Sequence, residues 1–192
     1  SKKIKVFPGF INAILKNIIS QLVDLRKTRP KLTDFSKWFI NEMRKTKDVN
    51  HNSFIDTFYE QPSLHLVFKS KKFLNNFNES HTKSSEKSAF LKIQKRITDI
   101  HNFEKGEWWV QDFSSMIPIA INNDLKNNNI IDVCAAPGGK SFQVLSNNKV
   151  VLNDISKKRI LKLKENLLRL NFSPEIKNLN ALNISEDNKY DV

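Results

Sequence analysis

Cysteine is nearly absent from this sequence: Cys134 stands alone among 192 residues. A lone cysteine excludes an internal disulfide framework and a multi-cysteine metal site, and it suits a reducing compartment, so a cytoplasmic protein is expected. The four histidines, His51, His65, His81 and His101, show no metal-ligand spacing, and no metal is expected either. No apolar run approaches the roughly 18–20 residues of a membrane span. No signal peptide is visible, and the chain starts at Ser1 without a methionine. Acidic residues are the minority, 20 against 32 Lys and Arg, which leaves a net charge of +12. Such a balance attracts polyanions, RNA or DNA above all. A Lys-, Asn- and Ile-rich composition produces the same charge without any partner, and the lysines form no single block. Glycine is scarce too, with four in all, and two of these fall together at Gly138-Gly139.

That glycine pair closes the most informative stretch, residues 130–141. A short apolar run, Ile130 to Val133, gives way to small residues and then to Pro137-Gly138-Gly139. This reads as a buried parallel strand that stops, turns and enters a helix over residues 140–145, with Phe142, Val144 and Leu145 on its apolar side. Glycines in such a turn admit positive φ and leave room for a ligand against the backbone. The N–H groups that open the helix then face that ligand. A second strand over residues 149–153 ends in Asp154, twenty residues after Cys134, where an acid is placed for the two hydroxyls of a ribose.

Three ligand classes compete for this βαβ unit. Gly139-Lys140-Ser141 supplies the end of a P-loop, G-x-x-x-x-G-K-[ST], but Cys134 stands where its first glycine is required. Pro137 would also stiffen a loop that must wrap a phosphate. The dinucleotide pattern G-x-G-x-x-G is absent. A nucleoside without pyrophosphate remains, and S-adenosylmethionine is the common one.

The string Asp132-Val133-Cys134-Ala135-Ala136-Pro137-Gly138-Gly139-Lys140 resembles motif I, D-x-C-A-A-P-G-G-K, of the RsmB/NOP (Sun) family of RNA (cytosine-5) methyltransferases. Further upstream, Gly9-Phe10-Ile11-Asn12-Ala13-Ile14-Leu15-Lys16 resembles the family's G-F-V-N-A-V-L-R, near the end of its helical NusB-like domain. The strand read at Ser63 to Phe68 resembles the opening of the family's small RNA-binding subdomain, with Phe68-Lys69 in place of Val-Asn. Gly106 to Met116 resembles the segment G-x-x-x-V-Q-D-x-S-S/A just ahead of motif I.

Taken in order, Phe10, Ile11, Ile14, Leu15, Ile18, Ile19 and Leu22 mark one face of an amphipathic, core-facing helix. Arg29-Pro30 breaks it. A second helical segment carries Phe35, Trp38, Phe39 and Met43 on one face, with Trp38 expected in the core. A third runs over residues 50–59 and stops at Gln61-Pro62. Residues 69–86 read as a solvated loop or short helix, and residues 89–100 as another amphipathic segment through Phe90, Ile93, Ile97 and Ile100. The strand Trp108 to Val110 leads to a helix capped by Asp112 or Ser114, with both tryptophans buried or, on the sharper reading, stacked on a base. Beyond Asp154, residues 155–170 form a helix capped by Ser156, with Ile160, Leu161, Leu163, Leu167, Leu168 and Leu170 packing inward. A third strand follows over residues 175–179.

The expected fold is α/β: an incomplete Rossmann-like methyltransferase domain over residues 107–192, preceded by a helical segment, 1–46, and a small α+β RNA-binding subdomain, 47–106. The resemblance implies that Ala135 to Lys140, with Cys134 beneath them as a small buried residue, hold the methionine end of S-adenosylmethionine. Asp154 would hold the ribose. Asn180, where the family carries Asp, would approach the adenine without the gain of a charged acceptor. Lys140 is implied to help hold the target base. Tyr190-Asp191-Val192 resembles the first residues of the family's fourth strand, so its cysteine nucleophile falls beyond Val192 and no catalytic residue is assigned. The parent activity implied is 5-methylation of cytosine in RNA, ribosomal RNA first, by a monomer. Without strand four, the strand at 130–133 is expected to be an unpaired edge. The alternative reading is a non-catalytic RNA-binding protein with a vestigial cofactor pocket.

Overall fold

The computed structural model describes residues 7–28, 31–47, 50–58, 60, 62–92, 95–122, 125–184 and 190–192. These fall into two compact units, Ser1–Pro62 and Ser63–Val192. The first is helical: α1 (Pro8–Ser20), α2 (Leu22–Lys27), α3 (Lys37–Lys45) and α4 (His51–Asp56). Pro8 opens α1, where its fixed φ suits the helix and its missing N–H is no loss. The apolar face expected to be buried is not, and no residue of α1 is buried. In α3, Met43 is buried, whereas Trp38 is 68% exposed rather than in the core. Phe35, Phe39 and Phe58 cluster instead, with Trp38 edge-on to Phe39. The Asn50 side chain caps α4 by accepting from the Asn52 and Ser53 N–H groups. The expected break at Arg29-Pro30, with Tyr59, Gln61, Ile93 and Lys189, lies outside the described residues.

The second unit holds two sheets. The first is antiparallel, in the order β2-β3-β1-β4, built from β1 (Leu64–Phe68), β2 (His81–Ser85), β3 (Ser88–Leu91) and β4 (Trp108–Val110), with α5 (Lys71–Asn75) after β1. Residues 69–86 thus form more than a solvated loop: Leu74 and Phe77 are buried beneath the sheet. Residues 89–100 are not one element either. Ala89 and Leu91 alternate into the core as strand residues do, and a single 3-10 turn spans Ile97–Asp99. Strand β4, expected at the start of the methyltransferase domain, pairs with β1 in the register Leu66↔Val110, Val67↔Trp109 and Phe68↔Trp108. Because side chains alternate across a strand, these two strands serve two cores. Leu66, Phe68 and Trp108 face one, while Val67 and Trp109 face the other, against the parallel sheet.

His65 lies in β1 with both ring nitrogens engaged. Nδ1 donates to the Gln111 carbonyl (2.8 Å), so Nε2 accepts from the Ser84 hydroxyl (2.8 Å). Burial pushes its pKa below the usual 6.5, against the weaker upward pulls of the Gln111 carbonyl and the Asp112 carboxylate. The unfolded chain therefore binds a proton before the folded one as pH falls. Stability from this group is complete above about pH 6.5 and is lost as pH drops from there through the depressed folded pKa. Urea midpoints should fall between about pH 7.5 and about pH 5.5, and more steeply than in His65→Gln; equal slopes would refute this.

Helix α6 (Phe113–Ala120) connects the sheets, capped by the Asp112 side chain, which accepts from the Ser115 N–H (3.1 Å). The parallel sheet follows in the order β5-β6-β7: β5 (Asn129–Asp132), α7 (Gly139–Val144), β6 (Lys149–Asn153), α8 (Lys157–Arg169) and β7 (Glu175–Lys177). The free edge of β5 begins to be covered, since Asp191 N–H donates to the Asn129 carbonyl (2.7 Å) and Ile131 N–H to that of Val192 (2.9 Å). Ser156 caps α8 through Arg159 N–H, and Ile160, Leu163, Leu167 and Leu170 are buried. Leu161 and Leu168, expected inward, are exposed, the latter at 83%. The buried four recur at helical spacing on one face, which leaves the other two on its flanks. At the end of α8 the Arg169 guanidinium donates to the carbonyls of Phe103 (2.9 Å) and Trp108 (3.0 Å) and lies over the Phe103 ring. One helix of the parallel sheet is thereby tied to the antiparallel one.

Candidate cofactor site at the glycine turn

The turn after β5 is held from below by Asp132, whose carboxylate accepts from Cys134 N–H (3.1 Å) and from the Ser141 hydroxyl (2.6 Å). The start of α7 is thus tied to the end of the strand. Next in the chain, Ala135 N–H donates to the Asn153 carbonyl (2.8 Å), and Ala136 N–H to the Asp154 carboxylate (3.2 Å). The Ala136-Pro137 peptide is cis. Gly138 has φ +115°, and a Cβ there would overlap the Phe142 ring, so this position accepts glycine alone. Gly139 is less constrained: its Cβ would meet the Gln111 side chain at 3.4 Å.

Asp154 is 2% exposed, and both of its oxygens are engaged. Oδ1 accepts from Ser156 N–H (2.9 Å), while Oδ2 accepts from Ala136 N–H and pairs with Arg159 (2.8 Å). The Arg159 guanidinium also donates to the Ala136 carbonyl (2.6 Å). The carboxylate therefore lies against the glycine turn, as the spacing implies, but under an arginine that the sequence reading did not single out. Half of the Arg159 side chain faces solvent (53%), so that cover is a surface group rather than packed core. Asn153 was missed as well. Its amide joins Val133 O, Leu179 O and Leu179 N–H, and so fixes the ends of β5 and β7 to β6. A buried Asn closing an apolar strand was the available signal.

Of the nine residues expected to bind cofactor, Ala135, Ala136, Gly138 and Asp154 are buried, and Gly139 is partly so. Pro137, Lys140 and Asn180 are exposed. Cys134 is exposed too, contrary to the expected small buried residue, because the chain has already left the sheet at Val133. Asn180 caps a 3-10 turn by accepting from Leu182 N–H. A cavity of about 880 Å³ has Cys134, Ala135, Ala136, Pro137, Gly139 and Lys140 in its wall. That volume is in the range of small-molecule sites. Gln111 and Lys162 also line it, while Asp154 and Asn180 do not. A buried side-chain amide in the same wall, Gln111 Nε2, has no partner among the described residues. Space and an unpaired donor beside a glycine turn fit a polar nucleoside ligand. Among the described residues no cluster of His, Cys, Asp or Glu could hold a metal, and no helix is long and apolar enough to cross a membrane.

Residues 119–190 match the family described as 16S rRNA methyltransferase RsmB/F. Over that segment the chain is similar to the RsmB/F methyltransferases. Similarity to a curated relative reaches beyond the matched segment. "Ribosomal RNA small subunit methyltransferase B" of Shewanella oneidensis is 26% identical over 187 residues, 91% of this chain and 44% of that protein. "tRNA (cytosine(72)-C(5))-methyltransferase" of Pyrococcus horikoshii is 36% identical over 78 residues, covering 38% and 20%. A solved methyltransferase homolog from Pyrococcus horikoshii superposes with TM-score 0.69 at 19% identity, over 85% of this chain and 61% of that one, which shows the Rossmann-like fold. The chain spans less than half the length of these two relatives.

Proposed function

We propose that this chain carries the cofactor-binding part of an S-adenosylmethionine-dependent RNA methyltransferase that acts on carbon-5 of cytosine, in ribosomal RNA. The observation that carries this reading is the assembled strand–turn–helix–strand–acid unit, with the Asp154 carboxylate 3.2 Å from the Ala136 N–H of the turn. In this reading the backbone of Ala135 to Lys140, with Cys134, lies along the methionine end. Asp154 takes the ribose hydroxyls once Arg159 gives way, and Asn180 reaches the adenine. When bound, the cofactor supplies an electrophilic methyl group on its sulfonium. The chain's own part is to orient that group and keep the surrounding carboxylates satisfied. Lys140, exposed beside the turn, holds the target base or an RNA phosphate.

RNA contacts are assigned to the segments before residue 107. The charge of +12 supports a polyanionic partner. Exposed lysines on the antiparallel sheet, its turns and α5, with Lys71, Lys83 and Lys87 among them, would meet phosphates. A cytoplasmic monomer is the setting this reading calls for. Labelled S-adenosylmethionine titrated against the intact chain should bind in the presence of EDTA, whereas ATP with Mg²⁺ should not. An absence of S-adenosylmethionine binding overturns the proposal. If RNA is still retained then, the vestigial-pocket reading takes its place, and the cover that Arg159 lays over Asp154 is the feature that would favour it.

A further inference from the structure

We infer that the side-chain amide of Gln111 is a ligand-binding group, donating a hydrogen bond to the carboxylate at the amino-acid end of the bound nucleoside. The inference rests on the cofactor reading above and adds a residue outside the 119–190 match. Trp109 decides the orientation of the amide. An indole N–H can only donate, and Trp109 Nε1 lies 2.9 Å from the Gln111 side chain, so the atom it faces is the carbonyl oxygen Oε1. Nε2 is left with two hydrogens and no partner among the described residues, in a residue only 7% exposed. Buried donors are nearly always paired, and one left unpaired is a cost that a ligand can relieve.

The backbone of Gln111 is fixed on both sides, its N–H donating to the His65 carbonyl (3.2 Å) and its carbonyl accepting from His65 Nδ1 (2.8 Å). The side chain lies over the glycine turn, within 3.4 Å of where a Gly139 Cβ would stand, and it shares the cavity wall with Lys140. A group that only donates selects an acceptor. Along the turn, Asp154 meets Ala136 at the ribose end, and Gln111 meets Gly139 three residues further on. The amino-acid end of the nucleoside therefore falls beside Gln111. Asp112 and Asp132 also line the cavity. Both are already engaged, Asp112 by Ser114 and Ser115, Asp132 by Cys134 and Ser141, and their charge suits the ammonium of the same amino acid.

The test is equilibrium binding to the intact chain of S-adenosylmethionine and of its decarboxylated analogue, which keeps the ammonium and the sulfonium. The natural sequence should prefer the carboxylated form about tenfold or more, the range for a hydrogen bond to a charged group. Gln111→Glu keeps an acceptor for Trp109 but loses the donor and adds a negative charge, and should abolish or reverse that preference. Equal affinity of the unsubstituted chain for the two ligands overturns the inference, however the variant folds. So does a variant that keeps the preference, or one that loses RNA retention alone. If the unsubstituted chain binds neither ligand, the cofactor reading itself has failed.

Discussion

Replacing Gly106 by alanine should destabilise the second unit by about 3–5 kcal/mol, a large part of the 5–15 kcal/mol that holds a typical domain together. Gly106 has φ +63°, a left-handed conformation that costs an L-residue roughly 1–2 kcal/mol. The added Cβ would also overlap the Arg169 carbonyl, which is backbone at the end of α8 and cannot turn aside as a side chain can. Moving it disturbs the hydrogen bonds that Arg169 makes to Phe103 and Trp108. Urea unfolding should show a sharply lowered midpoint with little change in slope. Gly9→Ala is the control: it lies in α1 with nothing within 4 Å of the new Cβ, and there the exchange should be neutral or slightly stabilising. Equal effects at the two positions would refute the steric account.

Asp154→Ala should raise the dissociation constant for S-adenosylmethionine at least about a hundredfold, because hydrogen bonds to a charged group are worth roughly 1.5–3 kcal/mol each and two ribose hydroxyls are at stake. The same change strips Ala136 N–H, Ser156 N–H and Arg159 of their shared acceptor, so the turn loses a brace as well as a ligand contact. Asp154→Asn separates the two roles. It retains one carbonyl oxygen for a backbone N–H, and it should keep the thermal midpoint closer to that of the unsubstituted chain while still weakening binding about tenfold. Isothermal titration and thermal unfolding on the same samples distinguish the outcomes. An Asp154→Ala chain that binds as tightly as before would end the ribose assignment.

The glycine-turn unit was legible because everything that defines it is close in sequence. The apolar run, the proline and glycines, and the acid at the next strand end follow one another within 25 residues, residues 130–154. The strand Lys149–Asn153 and the cap at Ser156 come out where spacing put them. The antiparallel sheet was harder, because its pairing is not local. His81–Ser85 is polar and lies at the sheet edge, so it reads as loop until β3 is beside it. Trp109 and Gln111 flank Val110 in a stretch marked by its resemblance to the segment ahead of motif I, but only folding brings Gln111 against a glycine 28 positions later, at Gly139. Arg159 was illegible for a related reason: an arginine in the first turn of a basic helix looks like a solvated charge. The exposure of Cys134 and Trp38 depends on where the chain leaves a sheet or what covers a helix, and hydropathy carries neither.

Helix α8 also sets a distance. Asn166 donates to the Pro137 carbonyl in the turn (3.0 Å), and Arg169, three residues on, reaches Phe103 and Trp108. Three residues are nearly one helical turn, a rise of about 4.5 Å along a single stripe of the cylinder. The helix therefore acts as a fixed-length spacer between the start of β4 and the glycine turn. Inserting or deleting one residue between positions 166 and 169 would rotate one anchor about 100° from the other, and either the glycine turn or the start of β4 would lose its mooring.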